Sequence, residues 1–62
     1  MLNKENILGF IADHQEEIDE LEKELTGITN ENVINAVQQR LSYLRDNKYH
    51  YELQARAWKL ID

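Results

Sequence analysis

Apolar residues recur along the chain at the three- and four-residue spacing of an α-helix, in two separate stretches. The first stretch contains Ile7, Ile11, Ile18, Leu21, Leu25 and Ile28, with His14 at the one position of the series that is not aliphatic. The second stretch contains Ile34, Val37, Leu41, Leu44, Lys48, Tyr51, Ala55 and Trp58. A β-strand would instead alternate apolar and polar residues with a period of two. The pattern therefore predicts two long amphipathic helices, each with a heptad-like apolar seam.

A short segment between the two stretches carries signals for ending one helix and starting another. Gly27 stands just past the first stretch, where a left-handed glycine commonly terminates a helix. Thr29 is the predicted N-cap of the second helix. We therefore expect helix 1 over about 3–26, a turn at 27–29 and helix 2 over about 30–61, within a single domain spanning 1–62. Because so short a turn makes neighbouring helices antiparallel, the predicted fold class is all-α, an antiparallel, coiled-coil-like two-helix hairpin.

Two polar residues interrupt the apolar seams near the middle of the predicted hairpin. His14 replaces an aliphatic residue on helix 1, and Lys48 does so on helix 2. A histidine in this position is usually half-buried and hydrogen-bonded to a neighbouring group, but a single polar residue on a seam also fixes register and oligomeric state. The lysine stem covers apolar surface while its ammonium group reaches solvent or a carboxylate. Both residues are therefore candidates for seam specificity.

An isolated pair of helices cannot cover both sides of its apolar seams. Further apolar side chains lie at the end away from the turn. Leu8 and Phe10 flank the first seam and Trp58 lies on the second, whereas a second stripe lies on the back of helix 2, opposite its seam: Tyr49, Leu53 and Leu60. Chains of about 60 residues have little core and are commonly stabilised by association. We therefore expect these residues to contact a partner or a second copy, and the hairpin to assemble as a homodimer in a four-helix bundle.

The composition of the chain indicates where in a cell the hairpin is located. None of the 62 residues is cysteine, so disulfides and thiolate metal sites are excluded and a cytoplasmic location is expected. The longest apolar run, Ile7 to Ala12, is too short to cross a bilayer. The first residues also lack the basic-then-apolar order of a signal peptide. We therefore expect no contact with membranes.

Charge divides unequally between the two predicted helices. Residues 1–26 hold two basic and eight acidic side chains, a net charge of −6, whereas residues 30–62 hold five basic and four acidic ones, a net charge of +1. Flanking positions predict an ion pair of Glu17 with Arg40 across the seams. The acidic face of helix 1 comprises Asp13, Glu16, Glu17, Asp19, Glu20 and Glu24. Such a run is usually only the solvated side of a helix, but carboxylates one turn apart also suit a basic protein partner, such as a nucleic-acid-binding protein.

Three functions are compatible with these features. The favoured one is a small non-enzymatic regulator or inhibitor that binds another protein, through the acidic face or through the apolar residues at the open end. The alternative is RNA or DNA binding, because helix 2 combines basic with aromatic side chains: Arg45, Lys48, Arg56, Lys59, Tyr43, Tyr49, Tyr51 and Trp58. A net charge of −5 opposes this alternative, since it repels a polyanion. The third is a structural component of a larger assembly.

The sequence lacks patterns typical of catalysis or metal binding. Ser42 is the one serine, and no histidine lies at a helical spacing that would activate it. His14 has Glu17 three residues later, and His50 follows Asp46 by one turn. Either pair would need further ligands from a second copy, and the Glu-x-x-His spacing of di-iron bundles is missing. We therefore predict no enzymatic activity, no metal and no cofactor.

Overall fold

The computed structural model describes residues 2–61, which form two α-helices joined by a short turn. Helix α1 spans Ile7–Leu25, and helix α2 spans Glu31–Ala57. The two helices pack against each other, and the molecule measures 42 × 22 × 14 Å. At 1.5 Å per residue α2 is about 40 Å long, so its length sets the long dimension. The predicted all-α hairpin is confirmed for these residues.

Two asparagines organise the residues that precede α1. The backbone N–H of Asn6 donates to Asn3 Oδ1 at 3.0 Å, and the N–H of Asn3 donates to Asn6 Oδ1 at 2.8 Å. This reciprocal pair is a capping box, with Asn3 in the role of the N-cap. The N–H of Ile7 donates to the Asn3 carbonyl at 3.0 Å, so the capped turn leads directly into the helix. Regular helix therefore begins at Ile7, and the start predicted near residue 3 corresponds to the cap.

Helix α1 ends without the left-handed glycine that the sequence predicted. Gly27 does not have a positive φ, so that prediction is wrong. The last N–H groups close short turns instead, and Thr26 donates to the Lys23 carbonyl at 3.3 Å. Gly27 donates in the same way to the Glu24 carbonyl at 3.1 Å. These bonds satisfy carbonyls that lack a partner at the end of a helix, so no left-handed residue is needed here.

Helix α2 begins with an asparagine cap. The Asn30 side-chain oxygen accepts the N–H groups of Asn32 and Val33, at 2.9 and 3.2 Å. The Asn30 backbone is extended, with φ −77° and ψ 119°, as is usual for an N-cap. Glu31 follows in the first turn, where a carboxylate stabilises the positive end of the helix dipole. The predicted cap, Thr29, is therefore wrong by one residue, because Asn30 supplies the oxygen that these N–H groups need.

Helix α2 ends at Ala57, before the predicted end near residue 61, because the chain reverses in a Schellman motif. The N–H of Leu60 donates to the Ala55 carbonyl at 2.9 Å. The N–H of Lys59 donates to the Arg56 carbonyl, also at 2.9 Å. Lys59 has a φ of 60° and is the one non-glycine residue among residues 2–61 with a positive φ. Glycine usually holds this position because a side chain is strained there.

The core between the helices has two parts. The part nearer the turn is built from Ile18, Leu41, Leu44, Leu21, Leu25 and Val37. At the open end, Ile7 and Ala55 are completely buried. All of these residues belong to the two predicted seams, which confirms the seams at these positions. Complete burial of an aliphatic side chain contributes about 1.5–3 kcal/mol, so a few residues carry most of the stability of the hairpin.

Candidate functional site

The residues of the predicted acidic face of α1 differ in whether they have partners. Glu17 pairs with an arginine of α2, and Asp19 accepts a hydrogen bond from Gln15 Nε2 at 2.7 Å. The other four are exposed and have no hydrogen-bond or ion-pair partner within residues 2–61: Asp13, Glu16, Glu20 and Glu24. Their steps of three, four and four residues place them in one row along the helix. We call these four residues the acidic ridge.

Two ion pairs join the helices. Arg40 Nη2 lies 3.0 Å from Glu17 Oε2, which confirms the predicted pair. Arg45 Nη2 lies 2.9 Å from Glu22 Oε1. A helical side chain leans toward the N-terminus of its own helix. Because the two helices are antiparallel, the side chains of Arg45 and Glu22 lean toward each other, and they meet although the two residues do not stand opposite each other along the hairpin. All four side chains are about half exposed, and each pair contributes about 1 kcal/mol at most, so these pairs orient the helices and neutralise charge.

A carboxylate of α2 lies beside the remaining cations of that helix. Glu52 Oε1 lies 2.7 Å from Lys48 Nζ, and Glu52 Oε2 lies 4.0 Å from Arg56 Nη2. Lys48 is half-buried, and its ammonium group reaches a carboxylate, as expected from its place on the seam. Every arginine and lysine within α2 thus lies beside a carboxylate of the same chain.

A groove of about 310 Å³ runs along one side of the helix pair. Its lining combines charged, aromatic and amide side chains: Asp13, His14, Glu17, Arg40, Tyr43, Leu44, Asn47 and Tyr51. Four of the α2 members follow one another at steps of three and four residues and form a stripe along the edge of the seam: Arg40, Tyr43, Asn47 and Tyr51. The Arg40 guanidinium carbon lies 5.2 Å from the centre of the Tyr43 ring, in cation–π geometry. The groove was not predicted from the sequence, although the polar and aromatic stripe on α2 is a signal for it.

His14 lines this groove and is held by two neighbours. Its Nδ1 lies 2.8 Å from the Phe10 carbonyl oxygen, which only accepts hydrogen bonds, so Nδ1 carries the proton. The imidazole meets Tyr51 edge-on at 5.2 Å between ring centres, and Phe10 stacks on Tyr51 at 5.9 Å. His14 is therefore a half-buried, backbone-bonded histidine, as expected. Its effect on register and oligomeric state stays a prediction.

The apolar residues predicted to form an interface separate onto two sides of the hairpin. Phe10 lies on the groove side, stacked on an aromatic ring of α2. Three others are 44%, 56% and 42% exposed: Leu8, Tyr49 and Leu53. Helical spacing puts Leu8 on the side of α1 opposite Phe10, and Tyr49 on the side of α2 opposite Tyr51, with Leu53 one turn further along α2. We call these three residues the apolar patch. Trp58 and Leu60 are half-buried, so they offer less surface to a partner than predicted.

The described residues hold neither a cluster of metal ligands nor a membrane-spanning helix. Within residues 2–61, no group of three or more histidine, aspartate or glutamate side chains is placed to hold a metal ion. In the same part of the chain, neither helix has the length and apolar character needed to cross a membrane. His50 lies on the exposed surface beside Tyr49, with ring centres 6.1 Å apart.

Three surfaces therefore stand as candidate sites: the acidic ridge, the groove and the apolar patch. In comparisons with protein families, with curated proteins and with solved structures, nothing matches the chain. Function is accordingly inferred from the charge, shape and exposure of these surfaces.

Proposed function

We propose that this chain is a small protein-binding regulator that presents the acidic ridge of α1 to a basic surface on a partner protein. The observation that carries the proposal is the distribution of ion-pair partners. The ridge carboxylates have none within residues 2–61, whereas the cations of α2 lie beside carboxylates of their own chain. Negative charge thus stays exposed while most positive charge is neutralised. Such a surface attracts cationic partners and repels polyanions.

The spacing of the ridge favours a partner with a row of basic side chains. Neighbouring carboxylates on a helix lie about 5–6 Å apart, and the helix holds that spacing rigidly. Nucleic-acid-binding proteins carry rows of lysine and arginine that contact successive phosphates. A row of carboxylates would compete with nucleic acid for such a surface. Inhibition of a nucleic-acid-binding protein is therefore the activity that we propose for the ridge.

Direct binding of RNA or DNA is the alternative to this proposal. It would require the cations of α2 to leave their carboxylate partners and contact phosphates. An exposed pair holds its cation by only about 0–1 kcal/mol, so the ion pairs disfavour this alternative without blocking it. The experiment on the ridge therefore includes an RNA as a second probe.

Two variants with equal charge test the ridge. Each removes three carboxylates, either on the ridge or elsewhere on the surface: E16Q/E20Q/E24Q and E5Q/E31Q/D46N. The probes are a fluorescent peptide of lysine, arginine and glycine and a fluorescent single-stranded RNA, each titrated with the chain and followed by anisotropy. At about 0.2–1 kcal/mol per exposed pair, loss of three pairs should make the ridge variant bind the peptide roughly 3- to 150-fold more weakly, and the control variant should bind much as the parent does.

The outcomes of this titration are distinct. Equal loss of peptide binding in both variants would show that net charge alone attracts the peptide, and it would reject the ridge. Tight RNA binding that falls steeply with salt, with no peptide binding, would support the alternative function. Binding of neither probe would leave a structural role in an assembly as the better explanation.

We further propose that the chain works in the cytoplasm as a homodimer that packs as a four-helix bundle through the apolar patch. Its three residues are exposed on one side of the open end, and the hairpin core is small. Sedimentation equilibrium should give about twice the chain mass of 7.4 kDa. Replacing Leu8 and Leu53 by glutamine should give a monomer with unchanged helix content. A parent chain that sediments as a folded monomer would reject the dimer.

A further inference from the structure

The groove contains acceptor groups that have no donor within residues 2–61. Asp13 belongs both to the groove and to the acidic ridge, and its carboxylate is unpaired there. The amide oxygen of Asn47 is also without a donor in that part of the chain. With Nδ1 of His14 donating to the Phe10 carbonyl, Nε2 is a third acceptor whenever the ring holds a single proton. A ligand for this lining must therefore supply several hydrogen-bond donors.

The charge and size of the groove favour a single cationic group. Two carboxylates and one guanidinium line it, which leaves one negative charge unbalanced when the histidine is neutral. A volume of about 310 Å³ corresponds to about ten water molecules, enough for the end of one long side chain. Two tyrosines, Tyr43 and Tyr51, add aromatic rings to the lining. Cations bind favourably over such rings.

The groove already holds one guanidinium group of its own chain. Arg40 places its guanidinium carbon 5.2 Å from the centre of the Tyr43 ring and donates from Nη2 to Glu17 at 3.0 Å. An aromatic ring and a carboxylate on this side of the hairpin thus accept a guanidinium together. Asp13 lines the same groove with no cation beside it in residues 2–61, and the Tyr43 ring is 55% exposed, so a carboxylate and an aromatic ring remain accessible to a second guanidinium.

We infer that the groove binds the guanidinium group of an arginine side chain on the basic partner. This inference rests on the proposed function, because it specifies which side chain of that partner enters beside the ridge. Asp13 accepts the paired N–H groups of the guanidinium, a tyrosine ring stacks on its plane, and the acceptors of His14 and Asn47 take the remaining N–H groups. A lysine ammonium group is a point charge and matches neither the stacking nor the paired hydrogen bonds.

Two peptides of equal charge test this arginine site. One contains arginine and glycine, and the other has lysine in place of every arginine. The parent chain should bind the arginine peptide about fivefold more tightly than the lysine peptide, because only the guanidinium stacks and forms paired bonds. Asp13→Asn should abolish this preference, whereas Asp46→Asn, which removes the same charge outside the groove, should keep it. NMR signals of the Tyr43 and Tyr51 rings should shift when the arginine peptide is added and should not shift with the lysine peptide.

The failure of this inference is distinguishable from the failure of the proposed function. Equal affinity for the two peptides in the parent chain would overturn the arginine site and leave the ridge standing. Loss of the preference in both aspartate variants would likewise overturn it, since the preference would not come from the groove. Binding of neither peptide would overturn the site and the proposed function together. Tyrosine ring shifts produced by a single-stranded RNA in place of the arginine peptide would assign the groove to nucleic acid and overturn the site.

Discussion

The left-handed residue that ends α2 allows a quantitative test of how the helix stops. Lys59 has a φ of 60° and closes the Schellman motif with Leu60. A side chain in this region costs roughly 1–2 kcal/mol relative to right-handed backbone, and glycine avoids that cost. Glycine also makes the unfolded chain more flexible, which offsets about 0.4–1 kcal/mol of the gain. Lys59→Gly should therefore be more stable than Lys59→Ala by about 0.5–1 kcal/mol.

Thermal unfolding followed by far-UV circular dichroism measures this difference. For a chain of this size, 1 kcal/mol corresponds to about 4–8 °C, so Lys59→Gly should melt about 2–8 °C above Lys59→Ala. The alanine variant is the matched control, because both changes remove the same side chain and the same charge. Equal melting temperatures would mean that position 59 is not left-handed in solution, and the Schellman motif would be wrong.

Four further substitutions test the fold. Gly9→Ala should raise the free energy of unfolding in urea by up to about 1 kcal/mol, because Gly9 lies in the first turn of α1 and the added methyl group meets nothing within 4 Å. Gly27→Ala should leave the free energy of unfolding unchanged or raise it by up to about 1 kcal/mol, because φ of Gly27 is not positive and the added methyl group would lie an ordinary 3.8 Å from the Glu24 carbonyl oxygen. A clear loss of stability would mean that Gly27 is left-handed after all. Leu41→Ala should cost about 2–5 kcal/mol and lower helix content sharply, because this side chain is 2% exposed in a small core. Arg40→Met should change the urea stability by about 1 kcal/mol or less, as its ion pair is half exposed; a larger loss would contradict a surface role.

The helices were predictable from the sequence, whereas their ends were not. Apolar residues such as Ile18 and Leu41 belong to series with three- and four-residue steps, and only a helix brings every member of such a series to one side. Because many residues together determine which side is buried, the pattern is clear in the sequence. Each end depends instead on one or two hydrogen bonds. Thr29 and Asn30 are both capping residues, and only the path of the turn decides which oxygen reaches the first N–H groups. Lys59 gives no sequence signal for a left-handed position, because glycine is the usual residue there.

The acidic ridge was predictable for the same reason as the helices, and the groove was not. A run of acids at helical spacing is visible within one helix, but the groove is formed by residues of two helices. Its existence depends on which side of α1 faces which side of α2. That relation also decides that Phe10, and not Leu8, lies on the groove side, where it stacks on Tyr51. The offset pair of Arg45 with Glu22 likewise depends on how side chains lean on antiparallel helices.

A titration followed by backbone amide NMR shifts tests most directly whether the acidic ridge is the binding surface. The probe is the peptide of arginine and glycine, added to the full chain. The largest shifts should lie along α1, at Asp13, Glu16, Glu20 and Glu24, while the side of α2 away from the groove, around Leu53, stays unchanged. Shifts concentrated on α2, or no shifts at peptide concentrations that saturate comparable acidic helices, would contradict binding through the ridge.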